Sequence, residues 1–299
     1  MTKTGSPKKG SMAFYPRKRA RRIYPRFKYR EVDRRFLGFS GYKAGMTHVI
    51  LETGEWRPVT ILECPPITVF GARFYRRTPY GLLCVGDCFS ERKHPRVRSG
   101  KPGWKDVDCD SVRLLCHTNP PFKKTPEVFE LPLGGSAEEQ VKTASELLGK
   151  DLEVSSVFSE GEYVDVTAVT KGKGYSGPVK RFGIKTQGRK AKQVHRHVGS
   201  LGPENVARVR PTVPMPGQLG FQTRTEFNKR ILKFASPDEV RIKGGIPHYG
   251  VIRNTAVLLE GSVPGPKKRL VFMKVASRPP APRSPVKVSF ICTSSQQGV

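Results

Sequence analysis

The stretch from Lys171 to Arg230 constrains this chain most. Lys and Arg crowd it, acidic residues are nearly absent apart from Glu204 and Glu226, and few apolar side chains are available for a core. Gly172, Gly174, Gly177, Gly183, Gly188, Gly199, Gly202, Gly217 and Gly220, with Pro178, Pro203, Pro211, Pro214 and Pro216, interrupt regular secondary structure repeatedly. A loop this long without its own core is unusual in a compact domain unless something else orders it. RNA can do so: glycine lets the backbone approach a sugar-phosphate chain, Arg and Lys meet phosphates, and an irregular chain follows irregular grooves.

The rest of the composition agrees. With 299 residues and 36% hydrophobic content the chain can bury a core, yet 54 Lys plus Arg face 25 Asp plus Glu, a formal charge of +29. Charge of that size repels itself unless phosphates neutralise it, so a polyanion is the expected partner. No run of roughly 18 apolar residues marks a membrane span. The N-terminal Pro16, Arg17, Lys18, Arg19, Arg21 and Arg22, with no apolar stretch after them, do not read as a secretory signal. Cys64, Cys84, Cys88, Cys109, Cys116 and Cys292 are scattered without a paired C-x-x-C knuckle, so free thiols in a reducing interior are expected. A zinc site using Cys84, Cys88, Cys109 and Cys116 with His94 and His117 is the lesser alternative.

Four regions follow from composition and periodicity. Residues 1–35 read as a basic arm in which Phe14, Tyr15, Tyr24, Phe27 and Tyr29 are placed to stack on bases, against the alternative of a disordered tail. Short Val/Ile/Phe/Thr-rich runs at Thr47 to Leu51, Pro58 to Leu62, Tyr163 to Val169, Phe227 to Phe234, Tyr249 to Ile252, Ala256 to Leu259 and Leu270 to Val275 read as strands, and a β-barrel is their simplest closure. The fold class is therefore mainly β, with the barrel core at 36–64, 160–174 and 225–299 and an inserted α+β lobe at 65–159. In that lobe Ser136 and Glu139 form a capping box, Val141, Ala144, Leu147 and Leu148 give one apolar face, and Gly149 supplies the stop. Basic loops at Arg92 to Lys105 and Lys123 to Lys124 offer further phosphate contacts. Residues 175–224 form an irregular extension.

Enzymatic motifs are not evident. Gly172, Gly174 and Gly177 satisfy G-x-G-x-x-G after a strand, but Pro178 follows at once, no amphipathic helix is expected, and the position where a ribose-binding acid belongs falls in the basic Lys192 to His197 run. His195 and His197 have no carboxylate or cysteine close in sequence to complete a metal or acid-base set. Neither a G-x-S-x-G elbow, a Walker loop nor an H-E-x-x-H helix occurs. No catalytic residue, metal or cofactor is expected.

Val166-Thr167-Ala168-Val169-Thr170-Lys171-Gly172-Lys173-Gly174, followed by Gly177-Pro178-Val179-Lys180-Arg181-Phe182-Gly183, resembles the ribosomal protein L-three family in its archaeal/eukaryotic-type form. Gly199-Ser200-Leu201-Gly202, Pro214-Met215-Pro216-Gly217-Gln218-Leu219-Gly220, Arg224-Thr225, and Phe36-Leu37-Gly38-Phe39 with Gly41-Tyr42-Lys43-Ala44-Gly45-Met46-Thr47 resemble the same family. The similarity covers most of the chain, from about Met12 to Val275. It implies a translation-protein-type β-barrel and an extension reaching through large-subunit rRNA toward the peptidyl-transferase centre. It further implies neighbouring ribosomal proteins, one of the L-fourteen type, and a cytoplasmic ribosomal location without a small-molecule substrate or membrane.

On that resemblance the rRNA contacts are Arg17, Lys18, Arg19, Arg21, Arg22, Lys171, Lys173, Lys180, Arg181, Lys185, Arg189, Lys190, Lys192, His195, Arg196, His197, Arg208, Arg210, Arg224, Lys229 and Arg230. Gly202, Pro203, Glu204 and Asn205 form the extension tip. Many archaeal and eukaryotic members place a tryptophan where Glu204 stands, so a stacking role does not carry over. Two rivals remain: a nucleic-acid-modifying enzyme, which needs a cofactor pocket or carboxylate cluster, and a non-ribosomal RNA/DNA packaging protein, which would associate with bulk nucleic acid.

Overall fold

The computed structural model describes residues 10–29, 34–92, 95–97, 109–281 and 286–295. In chain order its elements begin with β1 (Gly38–Leu51), β2 (Trp56–Glu63), β3 (Ile67–Thr78), β4 (Gly81–Phe89), β5 (Ser111–Thr118), β6 (Glu127–Pro132) and α1 (Ala137–Leu147). They continue with β7 (Asp151–Leu152), β8 (Tyr163–Val169), β9 (Tyr175–Ser176), α2 (Pro178–Phe182) and β10 (Gly217–Gln218). The last are β11 (Thr223–Ala235), β12 (Ala256–Glu260), β13 (Leu270–Val275) and β14 (Val288–Ile291). The chain divides into two compact units, Met1–Arg22 with Val169–Thr223, and Ile23–Ala168 with Arg224–Val299.

The second unit is mainly β. Its larger sheet runs β13-β8-β11-β12-β2-β1, and β1 pairs back to β13 through Gly38 to Tyr42, so these strands close into a ring without a free edge. β14 pairs with the other half of β1, at Val49 to Leu51. β1 alternates toward its end, with Val49 and Leu51 buried and His48 and Ile50 half-exposed, whereas β2 is exposed from Trp56 to Pro58 and continuously buried from Val59 to Glu63, where it lies between β1 and β12. A smaller sheet, β4-β3-β5-β6 with β7 on β3, shares the core, and Phe129 of β6 meets Phe272 of β13 edge-on at 5.0 Å.

Two expectations change here. Tyr249 to Ile252 is not a strand: Tyr249 and Gly250 lie in a turn closed by an Ile246–Gly250 bridge, and buried Tyr249 and Ile252 anchor the loop. Buried Glu63 organises that loop, accepting from Arg253 N at 2.9 Å, Asn254 N at 3.0 Å, Asn254 Nδ2 at 2.8 Å and the Tyr249 hydroxyl. The arm aromatics Tyr24 and Phe27 pack on Phe272 instead of facing solvent, with centroid distances of 6.4 and 5.3 Å, and Arg113 covers the ring of Tyr29.

The α1 helix forms as its sequence dictates. Ser136 Oγ accepts from Glu139 N while Glu139 Oε2 accepts from Ser136 N, satisfying donors that the first turn leaves orphaned. Gly149, at φ +77°, follows in the left-handed region. Gln140, buried on the same helix, accepts from Val112 N at 2.7 Å and donates to Gly135 O at 2.9 Å, tying α1 to β5. Of the expected Arg92 to Lys105 loop, only Arg92 and residues 95–97 lie within the described residues.

Candidate nucleic-acid interface

The first unit is built around a short ladder. Thr170 N donates to Gln222 O at 3.0 Å, Lys173 N to Leu219 O at 2.9 Å and Leu219 N to Gly174 O at 2.9 Å, and β9 pairs antiparallel with β10 beyond them. Gly220 sits where the limbs are closest. At φ +69°, a Cβ there would lie 2.1 Å from Lys171 O.

Contrary to expectation, a helix does open after Gly177. Pro178 is its first residue, where the missing N–H costs nothing and the fixed φ suits the helix, and Gly183 ends it at φ +65°. The helix is five residues long and β9 and β10 are antiparallel, so the glycine pattern marks a hairpin-like root and not a dinucleotide fold.

Arg181 is the central side chain of this unit. It donates to Gln218 O at 3.0 Å, Met215 O at 2.8 Å and Arg17 O at 3.3 Å, while Arg17 returns a bond to Arg181 O at 3.0 Å. Arg17 lies over Phe182 at 4.2 Å, Tyr15 packs on Phe182 at 6.2 Å, and Ala20 N donates to Phe221 O at 2.7 Å. Burial, then the charge of Arg17, lowers the pKa of Arg181 from the ordinary arginine range. These two guanidiniums are committed to holding the arm residues on the extension's root.

Beyond the root no residue from Gly183 to Phe221 is buried. The main-chain bonds from Gly183 to Val213 are local, such as Gln187 N to His195 O at 3.0 Å, Val206 N to Pro203 O at 3.3 Å and Val213 N to Arg210 O at 3.1 Å. His195 closes its loop through Nδ1 and Gly188 O at 3.1 Å, so it is tied into local structure. Lys18, Arg19, Arg21, Arg22, Lys171, Lys173, Lys180, Lys185, Arg189, Lys190, Lys192, Arg196, His197, Arg208 and Arg210 are exposed, as are Gly202, Pro203, Glu204 and Asn205. Arg224 and Lys229 are half-buried on β11. Arg230 departs from its expectation: only 6% exposed, it turns its guanidinium toward the Tyr163 ring at 6.0 Å.

Tyr175 is a feature that charge-based reasoning passes over. Its ring is 77% exposed on β9, in a segment whose Lys171, Lys173 and Lys180 are also exposed, so an aromatic face and cations occur in one short run, the combination that single-stranded nucleic acid uses. Its aromatic ring in an otherwise Gly- and Lys-rich run is the signal that marks it. Among the described residues, no group of His, Cys, Asp and Glu is placed to hold a metal ion, and no helix is long and apolar enough to cross a membrane.

A protein-cored body carrying a coreless cationic limb defines a polyanion-binding scaffold. The sequence matches the family model of Ribosomal protein L3 over residues 1–101 and 104–298. It is 44% identical to the Large ribosomal subunit protein uL3 of Methanothermobacter thermautotrophicus, with 100% of both chains covered. The proteins of the same description from Archaeoglobus fulgidus and Methanocaldococcus jannaschii are each 43% identical with 98% of both chains covered. The chain belongs to the ribosomal protein L3 family.

Proposed function

We infer that this chain is a structural constituent of the large ribosomal subunit, located in the cytoplasmic ribosome, where it binds rRNA and carries out no chemistry. The carrying observation is the limb from Gly183 to Phe221, which buries nothing of its own yet presents Arg189, Lys190, Lys192, Arg196, Arg208 and Arg210 to solvent. Such a segment gains order from a polyanion, releasing counterions as its cations replace them. In this reading the protein divides functionally into the arm 1–35, the core 36–64, 160–174 and 225–299, the lobe 65–159 and the RNA-penetrating extension 175–224. Gly202 to Asn205 form the inner tip, near the peptidyl-transferase and factor-binding regions, and a neighbour of the L-fourteen type abuts the core.

Sedimentation of native lysate through a high-salt gradient tests the reading. The wild-type chain is expected one-to-one with large subunits, and a variant with Arg189, Lys190, Lys192, Arg208 and Arg210 replaced by Gln is expected to remain folded but lost from them. Wild-type protein that leaves the subunit at moderate salt, or travels with bulk nucleic acid, refutes it.

A further inference from the structure

The aromatic side chains of the first unit are not used alike. Tyr15 packs on Phe182, Arg17 lies over Phe182 at 4.2 Å and Arg19 lies over Phe221 at 5.2 Å, so these rings are spent within the protein. Tyr175 is not. Its ring is 77% exposed, and among the described residues its side chain makes no hydrogen bond, ring contact or cation–π contact.

The ring nevertheless stands on fixed backbone. Tyr175 pairs with Gln218 and buried Ser176 with Gly217, and bonds from Lys173 N to Leu219 O and from Leu219 N to Gly174 O, both 2.9 Å, hold the limbs together just before that pairing. The cross-strand neighbour leaves the ring uncovered, because Gln218 Nε2 turns back along its own strand to Leu219 O at 3.2 Å and Gly220 O at 3.0 Å. Gly174, at φ +66°, and Gly177 flank Tyr175 in the chain, and a Cβ at either would meet nothing within 4 Å. A ring already held in place loses little freedom when a ligand packs on it.

We propose that Tyr175 is a stacking platform for the base of one unpaired RNA nucleotide at the root of the extension. Charge selects nucleic acid as the occupant: no Asp or Glu occurs from Lys171 to Pro203, and Lys171, Lys173 and Lys180 are exposed in the same run. Shape selects an unpaired nucleotide. Bases within an A-form helix are covered on both faces by their neighbours, so only one splayed from a loop, bulge or end can offer its face to a ring. Every base has such a face, so the contact reads the unpaired state and not the identity of the base. Phosphate contacts along the limb position the chain on RNA without making that distinction.

The stacking contact rests on the rRNA-binding reading and refines it. The test places a photo-activatable benzophenone amino acid at position 175 and irradiates large subunits isolated on a high-salt gradient. A crosslink to one rRNA nucleotide outside any helix is expected. In subunits carrying Y175L, checked for an unchanged thermal midpoint, acylation of that nucleotide's 2′-hydroxyl is expected to rise roughly fivefold or more as the base leaves its stack. Y175F, which keeps the ring, is expected to match wild type. Crosslinks to paired nucleotides or to protein, unchanged acylation in Y175L, or a Y175F that behaves as Y175L overturn the stacking proposal alone. Absence of the wild-type chain from large subunits overturns the ribosomal reading, and the stacking proposal with it.

Discussion

Arg17 and Arg181 each donate to the other's main-chain carbonyl, at 3.0 Å from Arg17 and 3.3 Å in return. Their like charges repel, and carbonyl acceptors offset that cost: Arg181 also reaches Met215 O and Gln218 O. One planar fork therefore joins arm, near limb and far limb. Lysine has the charge but not the fork. R181K is expected to destabilise this unit by about 1–2 kcal/mol, the worth of one or two lost bonds. Hydrogen exchange would show faster exchange at Ala20 and Leu219 with the amides of β12 and β13 unchanged; identical exchange at Ala20 and Leu219 in both proteins would exclude the role.

Gly220 offers a steric test of the same root. G220A combines a left-handed φ with a Cβ 2.1 Å from Lys171 O, so the limbs must separate. Gly188, with φ −61° and open space around its would-be Cβ, is the matched control. RNA affinity is expected to fall for G220A and stay near wild type for G188A; equal affinities would show that limb spacing is unimportant.

Glu63 tests the loop before β12. Glutamine in its place turns an oxygen that accepts into an amide that donates, facing donors from Tyr249 or from the Arg253–Asn254 turn. The cost for E63Q should be about 3 kcal/mol, the penalty of unmade bonds at a buried charged acceptor. At about 2–4 °C per kcal/mol that is a drop of about 6–12 °C in Tm by calorimetry. A change under a degree would refute the account.

Acid should weaken the smaller sheet in a defined sense. Arg73 binds Asp87 through both oxygens, at 2.7 and 2.8 Å, and this hydrogen bonding holds the Asp87 carboxyl below the ordinary aspartate value. A lowered folded pKa means stability present above the unfolded value, about 3.9, and lost as pH falls through the folded one. D87N is expected to cost about 1 kcal/mol at pH 7 and to flatten the stability slope below about pH 4. An unchanged acid-side slope would show that the pair contributes nothing there.

Counterion release gives a further measurement. Replacing Arg189, Lys190 and Lys192 with Gln should reduce the slope of log affinity against log salt by about 2–3, since each phosphate contact contributes roughly 0.7–0.9. An unaltered slope would remove these three residues from the phosphate-facing set.

Where the sequence was legible, the signal was local. The Ser136–Glu139 box and the strand runs along β2, β8, β12 and β13 appear where their patterns put them. Tyr249 to Ile252 misled because loop anchors and strand residues share the same apolar composition; the difference lies in Glu63, distant in sequence. Pro178 read as a breaker although it is favoured in a first helical turn. Composition could not separate Arg17 and Arg181, spent on carbonyls, from Arg189 and Lys190, which face solvent. That division depends on contacts between segments far apart in the chain.

The pairing of β1 has a temporal side. Gly38 to Tyr42 wait for Leu270 to Lys274, and Val49 to Leu51 wait for Val288 to Ile291. During synthesis from the N-terminus, the arm and the whole extension leave the translating machinery before the last strands that close the ring. Pairings of such high sequence separation form slowly, so β1 spends that interval with an unmatched edge prone to wrong partners. A nascent chain of this build has its cationic segments available to nucleic acid before its own core is complete.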